Sequence, residues 1–172
     1  MKIRALDDNK QANLIFKDLQ DNFIFGLSET FKHIKGNDHW QTPPDLYKKL
    51  DDEFNFDFDP CPILAKITKE TDGLLIDWGK VNFVNPPYNR ELKEAFVIRA
   101  IEFAKLGRTC VMLLPVSTST KLFHEYIQPN ASEIRFIRGR VKFIGIGSNK
   151  VKGRKSITGM HDSMIVVFKD LK

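Results

Sequence analysis

The residues best suited to chemistry form one short turn, Asn85-Pro86-Pro87-Tyr88. The two prolines lack amide N–H groups and fix two φ angles, so the turn is stiff and rich in hydrogen-bond acceptors. Asn85 adds a side-chain acceptor, and Tyr88 adds a flat ring that can cover a planar substrate. The Asn85 side chain and the Pro86 carbonyl can together bind both hydrogens of an exocyclic amine on an aromatic ring. The turn therefore predicts catalysis by positioning, in which the amine's lone pair is turned towards an electrophilic methyl group.

A strand pattern precedes this turn. Val81 to Asn85 alternates and ends at the prolines, and Asn55 to Asp59 does the same, so we predict two strands that open into polar loops. A turn that merely ends a strand would explain the proline pair, which is common in loops. The flanking asparagine and tyrosine and the preceding strand favour the functional interpretation.

Other periodicities predict the elements around these loops. Arg90 to Leu106 has one apolar face, as in a helix, and Thr109 to Leu114 is a short apolar run, typical of a strand covered on both faces. The strand-helix-strand order implies parallel pairing. Further predicted elements are a helix that starts at Thr42-Pro43-Pro44-Asp45 with a hydroxyl cap, a helix from Thr118 to Ile127, a hairpin of Glu133 to Ile137 with Arg140 to Ile144, and a strand from Ser163 to Phe168.

Composition favours one globular domain. The chain has 172 residues, of which 42% are apolar, enough for one core. It has no apolar run of about eighteen residues and no apolar signal segment at its start, so we expect a cytoplasmic protein. Cys61 and Cys110 are too few for a disulfide framework, and no Cys/His cluster has zinc spacing, so no metal is expected.

Charge is distributed unevenly along the chain. The net charge is +5, and seven basic residues but no acidic one lie between positions 138 and 155. We predict a mobile cationic loop that contacts phosphates with salt-dependent, largely sequence-blind affinity; a merely solvated loop is the alternative. The predicted DNA-binding residues are Arg138, Arg140, Lys142, Lys150, Lys152, Arg154 and Lys155.

The turn resembles the catalytic motif of the S-adenosylmethionine-dependent amino-methyltransferases, which act on adenine or cytosine in DNA or on protein glutamine. Further segments, in order and spacing, resemble the small phage and prophage DNA adenine methyltransferases of the Dam type, over roughly Asp38 to Phe168. Those segments are Trp40-Gln41-Thr42-Pro43, Asp57-Phe58-Asp59-Pro60-Cys61, Asp72-Gly73-Leu74 with Asp77-Trp78, Met112-Leu113-Leu114-Pro115, and Phe136-Ile137-Arg138-Gly139-Arg140 with Phe143.

This resemblance implies that S-adenosylmethionine is the cofactor and that Asn85, Pro86, Pro87 and Tyr88 are catalytic, with Tyr88 covering an adenine flipped out of duplex DNA. We therefore expect methyl transfer to the N6 amine of adenine in DNA, in a bacterial or phage-infected cell. The alternatives are cytosine-N4 or protein-glutamine methylation, or a catalytically idle nucleic-acid-binding module with the same core.

The resemblance also implies cofactor contacts. Asp59 would receive the cofactor's ammonium group, the helix start at Thr42 would face its carboxylate, and Asp77 with Trp78 would meet its adenine or ribose. A capping threonine, a turn aspartate and a core tryptophan beside a surface aspartate are the structural alternatives. The implied cofactor-binding set is Trp40, Thr42, Pro43, Asp59, Pro60, Cys61, Asp77 and Trp78.

The implied fold is a trimmed Rossmann-like class I methyltransferase, an α/β protein whose mixed sheet has helices on both faces. It is trimmed because only 21 residues separate Asp59 from Val81, too few for two complete strand-helix units. The glycine-rich turn that is usual in the wider superfamily is absent, and Pro62-Ile63-Leu64 follows instead. We expect an accessory helical segment at residues 1–37 and the methyltransferase domain at 38–172. The DNA sequence would be read by that segment, by the cationic loop or by a second subunit of a homodimer.

Overall fold

The fold combines short strands with helices on both sides of them. The computed structural model describes residues 40–62, 68–145, 155–159 and 161–171. The predicted accessory segment and the basic residues Lys150, Lys152 and Arg154 lie outside the described residues. In chain order the elements are β1 (Trp40–Gln41), α1 (Pro44–Phe54), β2 (Val81–Val84), α2 (Arg90–Lys105), β3 (Thr109–Pro115), a π-helix (Leu122–Ile127) that continues into α3 (Gln128–Asn130), β4 (Glu133–Phe136), β5 (Lys142–Gly145), β6 (Lys155–Thr158) and β7 (Ser163–Phe168).

A four-stranded mixed sheet has the strand order β2-β3-β7-β4. β2 and β3 are parallel and are joined by α2, which confirms the predicted strand-helix-strand unit. β7 is antiparallel to both β3 and β4. β7 lies between β3 and β4 and every one of its residues is buried, which explains its apolar sequence.

Apolar side chains fill a core on each face of this sheet. Met112 of β3 packs in a cluster with Phe96 of α2, whereas its neighbour Val111 packs in the opposite cluster with Leu50 of α1. This alternation follows from the two-residue period of a strand. The protein is therefore of the mixed α/β class, with helices on both faces of a mixed sheet.

A second sheet is antiparallel and has the order β1-β5-β6. The predicted hairpin of Glu133 to Ile137 with Arg140 to Ile144 is wrong, because β4 and β5 belong to different sheets. The amide of Ile137 donates to Ser163 O at 2.9 Å, which extends the pairing of β4 with β7. On the other side of the turn, Val141 O accepts from the Gly159 amide at 2.9 Å. Gly139, at φ 79°, provides the change of direction between the two sheets.

The predicted strand at Asn55 to Asp59 is reduced to one parallel bridge, between Phe58 and Asn82. The Asp57 carboxylate accepts from the amides of Lys80 and Val81 at 3.1 and 3.0 Å, so a side chain replaces part of the ladder. A Cβ on Gly79 would lie 2.1 Å from the Asp57 carboxylate, so this close approach requires glycine.

Two helix predictions need correction. The helix after Thr42 forms, but its N-cap is Pro43 and no side chain caps it, so the Thr42 hydroxyl does not have the predicted role. The predicted helix from Thr118 is a π-helix over Leu122–Ile127, where the amide of Gln128 bonds to Phe123 O five residues earlier. In the part of the chain that the structure describes, no helix is long and apolar enough to cross a membrane.

Candidate active site

The predicted catalytic turn, Asn85-Pro86-Pro87-Tyr88, lies at the carboxyl end of β2. Its neighbour in space is the loop that starts at Asp59, because Phe58 pairs with β2 in parallel and both chains leave the sheet at the same edge. The side-chain nitrogen of Asn85 donates to Trp40 O at 2.8 Å. This bond leaves the Asn85 side-chain oxygen as the acceptor that the amide can offer to a ligand.

A cavity of about 300 Å³ opens beside Asn85. Its wall combines groups from the start of α1, the loop after Phe58 and the end of β2. The lining residues are Gln41, Thr42, Pro44, Tyr47, Asp59, Cys61, Phe83 and Asn85. Four sequence-predicted site residues, Thr42, Asp59, Cys61 and Asn85, are thus brought together at one cavity.

Asp59 is the acidic group of this cavity. Burial raises the pKa of its carboxyl from 3.8 to about 6, and the hydrogen bond that it accepts from the Cys61 amide at 2.8 Å offsets this only in part. No basic side chain lines the cavity among the described residues. A carboxylate in such surroundings gains most from a ligand that brings a positive charge.

The loop that carries Asp59 packs closely against the segment at 72–74. A Cβ on Gly73 would lie 2.1 Å from Pro60 O, so only glycine allows the two backbones to approach this closely. The buried Asp72 carboxylate accepts from the Leu74 amide at 2.9 Å and shapes that segment. Burial, with the nearby carboxylates of Asp59 and Asp72, raises the pKa of the Cys61 thiol, so Cys61 lines the cavity as a neutral group.

Tyr88 does not line the cavity. Its ring packs perpendicular to Phe143 of β5, with the ring centroids 5.9 Å apart. Burial raises the pKa of its phenol, and its hydroxyl has no hydrogen-bond partner among the described residues. Pro86 and Pro87, between Asn85 and Tyr88, are both buried.

The predicted cofactor residues Asp77 and Trp78 also lie away from the cavity lining. Asp77 makes a two-pronged ion pair with Arg108, both N···O distances being 2.9 Å. Trp78 is buried, donates to Gly73 O at 2.7 Å and stacks on Phe103 with centroids 4.9 Å apart. This arrangement gives no support to a cofactor contact by either residue.

Sequence analysis missed two aromatic residues of the cavity. Phe83 lies on β2, two positions before Asn85, which directly follows the strand, so the two-residue period predicts that both residues face the same side. Tyr47 lies one helical turn after Pro43, to whose carbonyl its amide donates at 3.0 Å. Both spacings could be read from the sequence.

Trp40 and Pro43 are not lining residues. Trp40 provides the carbonyl that accepts from Asn85, and Pro43 is the N-cap of α1.

Three predicted DNA-binding residues lie on the described surface. Arg138, Arg140 and Lys142 are exposed, and Arg140 is 3.9 Å from the Asp162 carboxylate. Lys155 lies at the start of β6, opposite Gly145 of β5. β5 pairs with β1, which leads directly into the cavity wall. Within the described ranges, no group of three or more His, Cys, Asp or Glu could hold a metal ion.

Comparison with known proteins gives two matches. A family model described as DNA N-6-adenine-methyltransferase (Dam) matches residues 28–172. The chain is also 36% identical over 142 residues to the DNA N-6-adenine-methyltransferase of Haemophilus phage HP1 (strain HP1c1), covering 76% of this chain and 78% of that protein. No solved structure matches. With a family match over most of its length and a relative of this similarity, the chain belongs to the DNA N-6-adenine-methyltransferase (Dam) family.

Proposed function

We propose that this protein transfers a methyl group from S-adenosylmethionine to the N6 amine of adenine in DNA. One observation carries the proposal: Asn85, whose side-chain nitrogen donates to Trp40 O at 2.8 Å, lies on the same cavity as the half-buried acid Asp59. Family membership supports adenine as the target base. The cavity supplies a place for the methyl donor next to the acceptor that would hold the amine.

The cavity residues fit this cofactor. Among the described residues, no basic side chain lines the cavity beside Asp59, and an ammonium group is the ligand that its ionised carboxylate would bind best. The first turn of α1 also lines the cavity, and a helix start favours a carboxylate. Tyr47 and Phe83 add apolar surface. When bound, the cofactor supplies an electrophilic methyl group.

The catalytic turn would act on the amine by orientation. The Asn85 side-chain oxygen accepts one amine hydrogen and the Pro86 carbonyl accepts the other, so the nitrogen lone pair points away from the ring plane. Because the amide nitrogen of Asn85 is already bonded to Trp40 O, the side chain cannot rotate freely and its oxygen is held ready. In this proposal the Tyr88 ring covers the flipped adenine.

The sheet supports a trimmed Rossmann-like class I methyltransferase fold. Phe58, β2 and β3 run in parallel, and Asp59 and Asn85 follow them at one sheet edge, where open α/β sheets bind ligands. The 21 residues between Asp59 and Val81 contain no strand in their described part. The shortened connection therefore leaves Phe58 directly beside β2.

Duplex DNA would lie across the cationic residues at the start of β5 and in the turn before it. Arg138, Arg140 and Lys142 are exposed, and β5, which begins at Lys142, is paired with β1 at the cavity wall. Contacts of this kind bind phosphates without reading the base sequence. The target adenine would have to leave the helix to reach Asn85, since an amine inside a duplex is not accessible to the turn.

Nucleoside analysis tests the proposal. Unmethylated plasmid DNA is incubated with the purified protein and S-adenosylmethionine, digested to nucleosides and measured by mass spectrometry. We expect N6-methyladenine that increases with time. N4-methylcytosine alone would assign the amine of cytosine instead, and no methylated nucleoside together with no cofactor binding at millimolar concentration would leave a nucleic-acid-binding module.

A further inference from the structure

The small sheet β1-β5-β6 contacts both polar side chains of the catalytic turn. Through β1 it provides Trp40 O, the acceptor for the Asn85 amide at 2.8 Å. Through β5 it provides the Phe143 ring, which meets the Tyr88 ring at 87° with centroids 5.9 Å apart. Neither contact comes from the four-stranded sheet on which the turn itself is built.

The position of the Tyr88 ring depends on apolar packing. Its hydroxyl has no hydrogen-bond partner among the residues that the structure describes, so no described polar contact orients the ring. Tyr88 instead packs against the core cluster that contains Phe143 and Val141. A perpendicular ring pair is directional, because it fixes the angle of one ring plane relative to the other.

Phe143 is itself tightly held. It is 3% exposed, and a Cβ on Gly159 would lie only 3.3 Å from its ring. The Gly159 amide donates to Val141 O at 2.9 Å, which keeps the backbone behind the ring in place. The Phe143 ring therefore has little free space on the Gly159 side, and a ring held in this way restricts where the Tyr88 ring can pack.

The strand that carries Phe143 begins with one exposed cation, and a second exposed cation lies just before it. Lys142 is its neighbour in β5, and Arg140 lies two residues before Lys142. In an extended strand, side chains of adjacent residues point to opposite faces, so Lys142 is exposed and Phe143 is buried. One strand thus joins a phosphate-binding surface to the ring that contacts Tyr88.

We propose that Phe143 is a positioning residue, which holds the Tyr88 ring at the angle needed to cover the flipped adenine. The inference rests on the proposed function, since it assigns no chemistry to Phe143 itself. It predicts that Phe143 affects the rate of methyl transfer from the bound complex and leaves binding of the cofactor unchanged.

Phe143→Leu tests this, because leucine keeps most of the apolar volume but has no ring edge. The matched control is Phe168→Leu, a buried phenylalanine at the far end of β7 that is paired with Cys110. Both variants are assayed in the full chain with labelled S-adenosylmethionine and unmethylated plasmid DNA, well below their melting temperatures. For Phe143→Leu we expect kcat to fall at least about tenfold with cofactor affinity unchanged, while Phe168→Leu keeps the parental kcat.

Gly159→Ala gives an independent perturbation, since its new methyl group would press on Phe143 and leave both rings intact. We expect a smaller, severalfold loss of kcat. The inference is overturned if Phe143→Leu keeps the parental kcat, if it raises only the KM for DNA, or if both leucine variants lose kcat in proportion to their loss of melting temperature. An inactive parental protein would instead refute the proposed function.

Discussion

Asp59→Asn should stabilise the cofactor-free protein and weaken cofactor binding. Burial raises the pKa of Asp59 from 3.8 to about 6, so the folded protein holds a proton more tightly at this site than the unfolded chain does. Keeping the carboxylate ionised in the folded state at pH 7 therefore costs up to about 3 kcal/mol. Asparagine carries no charge and its side-chain oxygen can still accept from the Cys61 amide.

The raised pKa of Asp59 sets both the sign and the size of the expected change in stability. At pH 7 the variant gains up to about 3 kcal/mol in free energy of unfolding, or up to about 10 °C in melting temperature for a chain of this size. Because the destabilisation builds up between pH 3.8 and about 6, the gain shrinks as the pH falls through that window. Melting curves of both proteins at pH 5 and pH 7 measure this. The control is Asp52→Asn, an exposed acid paired with Lys48, which should change stability by less than about 1 kcal/mol.

Cofactor binding should change in the opposite direction. Loss of the carboxylate removes the partner of an ammonium group and should weaken binding at pH 7 at least about thirtyfold by calorimetry. In the parental protein, affinity should rise about tenfold from pH 5 to pH 7, as Asp59 ionises. The reasoning is refuted if Asp59→Asn binds S-adenosylmethionine as tightly as the parental protein, or if it is less stable at pH 7.

Two further predictions concern the ring and the cationic surface. Tyr88→Phe should keep methyl transfer and raise the free energy of unfolding by about 1 kcal/mol, because it removes a buried hydroxyl with no described partner; a destabilised variant in thermal melts would contradict this. Lys142→Ala should weaken DNA binding and make the negative slope of log affinity against log salt concentration less steep by about 0.9. Lys105→Ala, in the last turn of α2, should leave that slope unchanged. Equal slopes for the two lysine variants in a salt titration would place DNA elsewhere.

Local periodicity was enough to predict three strands of the main sheet and the helix that joins two of them. The strands at 81–84, 109–115 and 163–168 and the helix at 90–105 agree with the sequence patterns, because alternation, apolar runs and one apolar helix face are set by neighbouring residues. The polar groups that gather at the cavity could be predicted from the positions at which strands end. Asp59 and Asn85 follow parallel chains and so reach the same edge.

Local patterns could not predict which strands pair with each other or which side chains meet. β4 and β5 have hairpin-like patterns, but each side of the Gly139 turn is already paired with a different strand. Trp78 is of a residue type that often contacts a cofactor, yet its indole N–H donates to Gly73 O in the core. Arg108 has no local signal for its ion pair with Asp77, from which it is separated by 31 positions. These contacts are tertiary, and spacing along the chain carries no information about them.

The central claim is that the Asn85 side-chain oxygen holds the amine of adenine. Its most direct test is methyl transfer by Asn85→Ala beside Asn89→Ala, four residues away, whose side chain caps α2 by accepting from the Glu91 and Leu92 amides. The cap variant should lose about 1 kcal/mol of stability and keep its kcat. Asn85→Ala should bind S-adenosylmethionine normally but lose at least about a hundredfold in kcat for labelled methyl transfer to DNA. Transfer by Asn85→Ala at the parental rate would contradict the account.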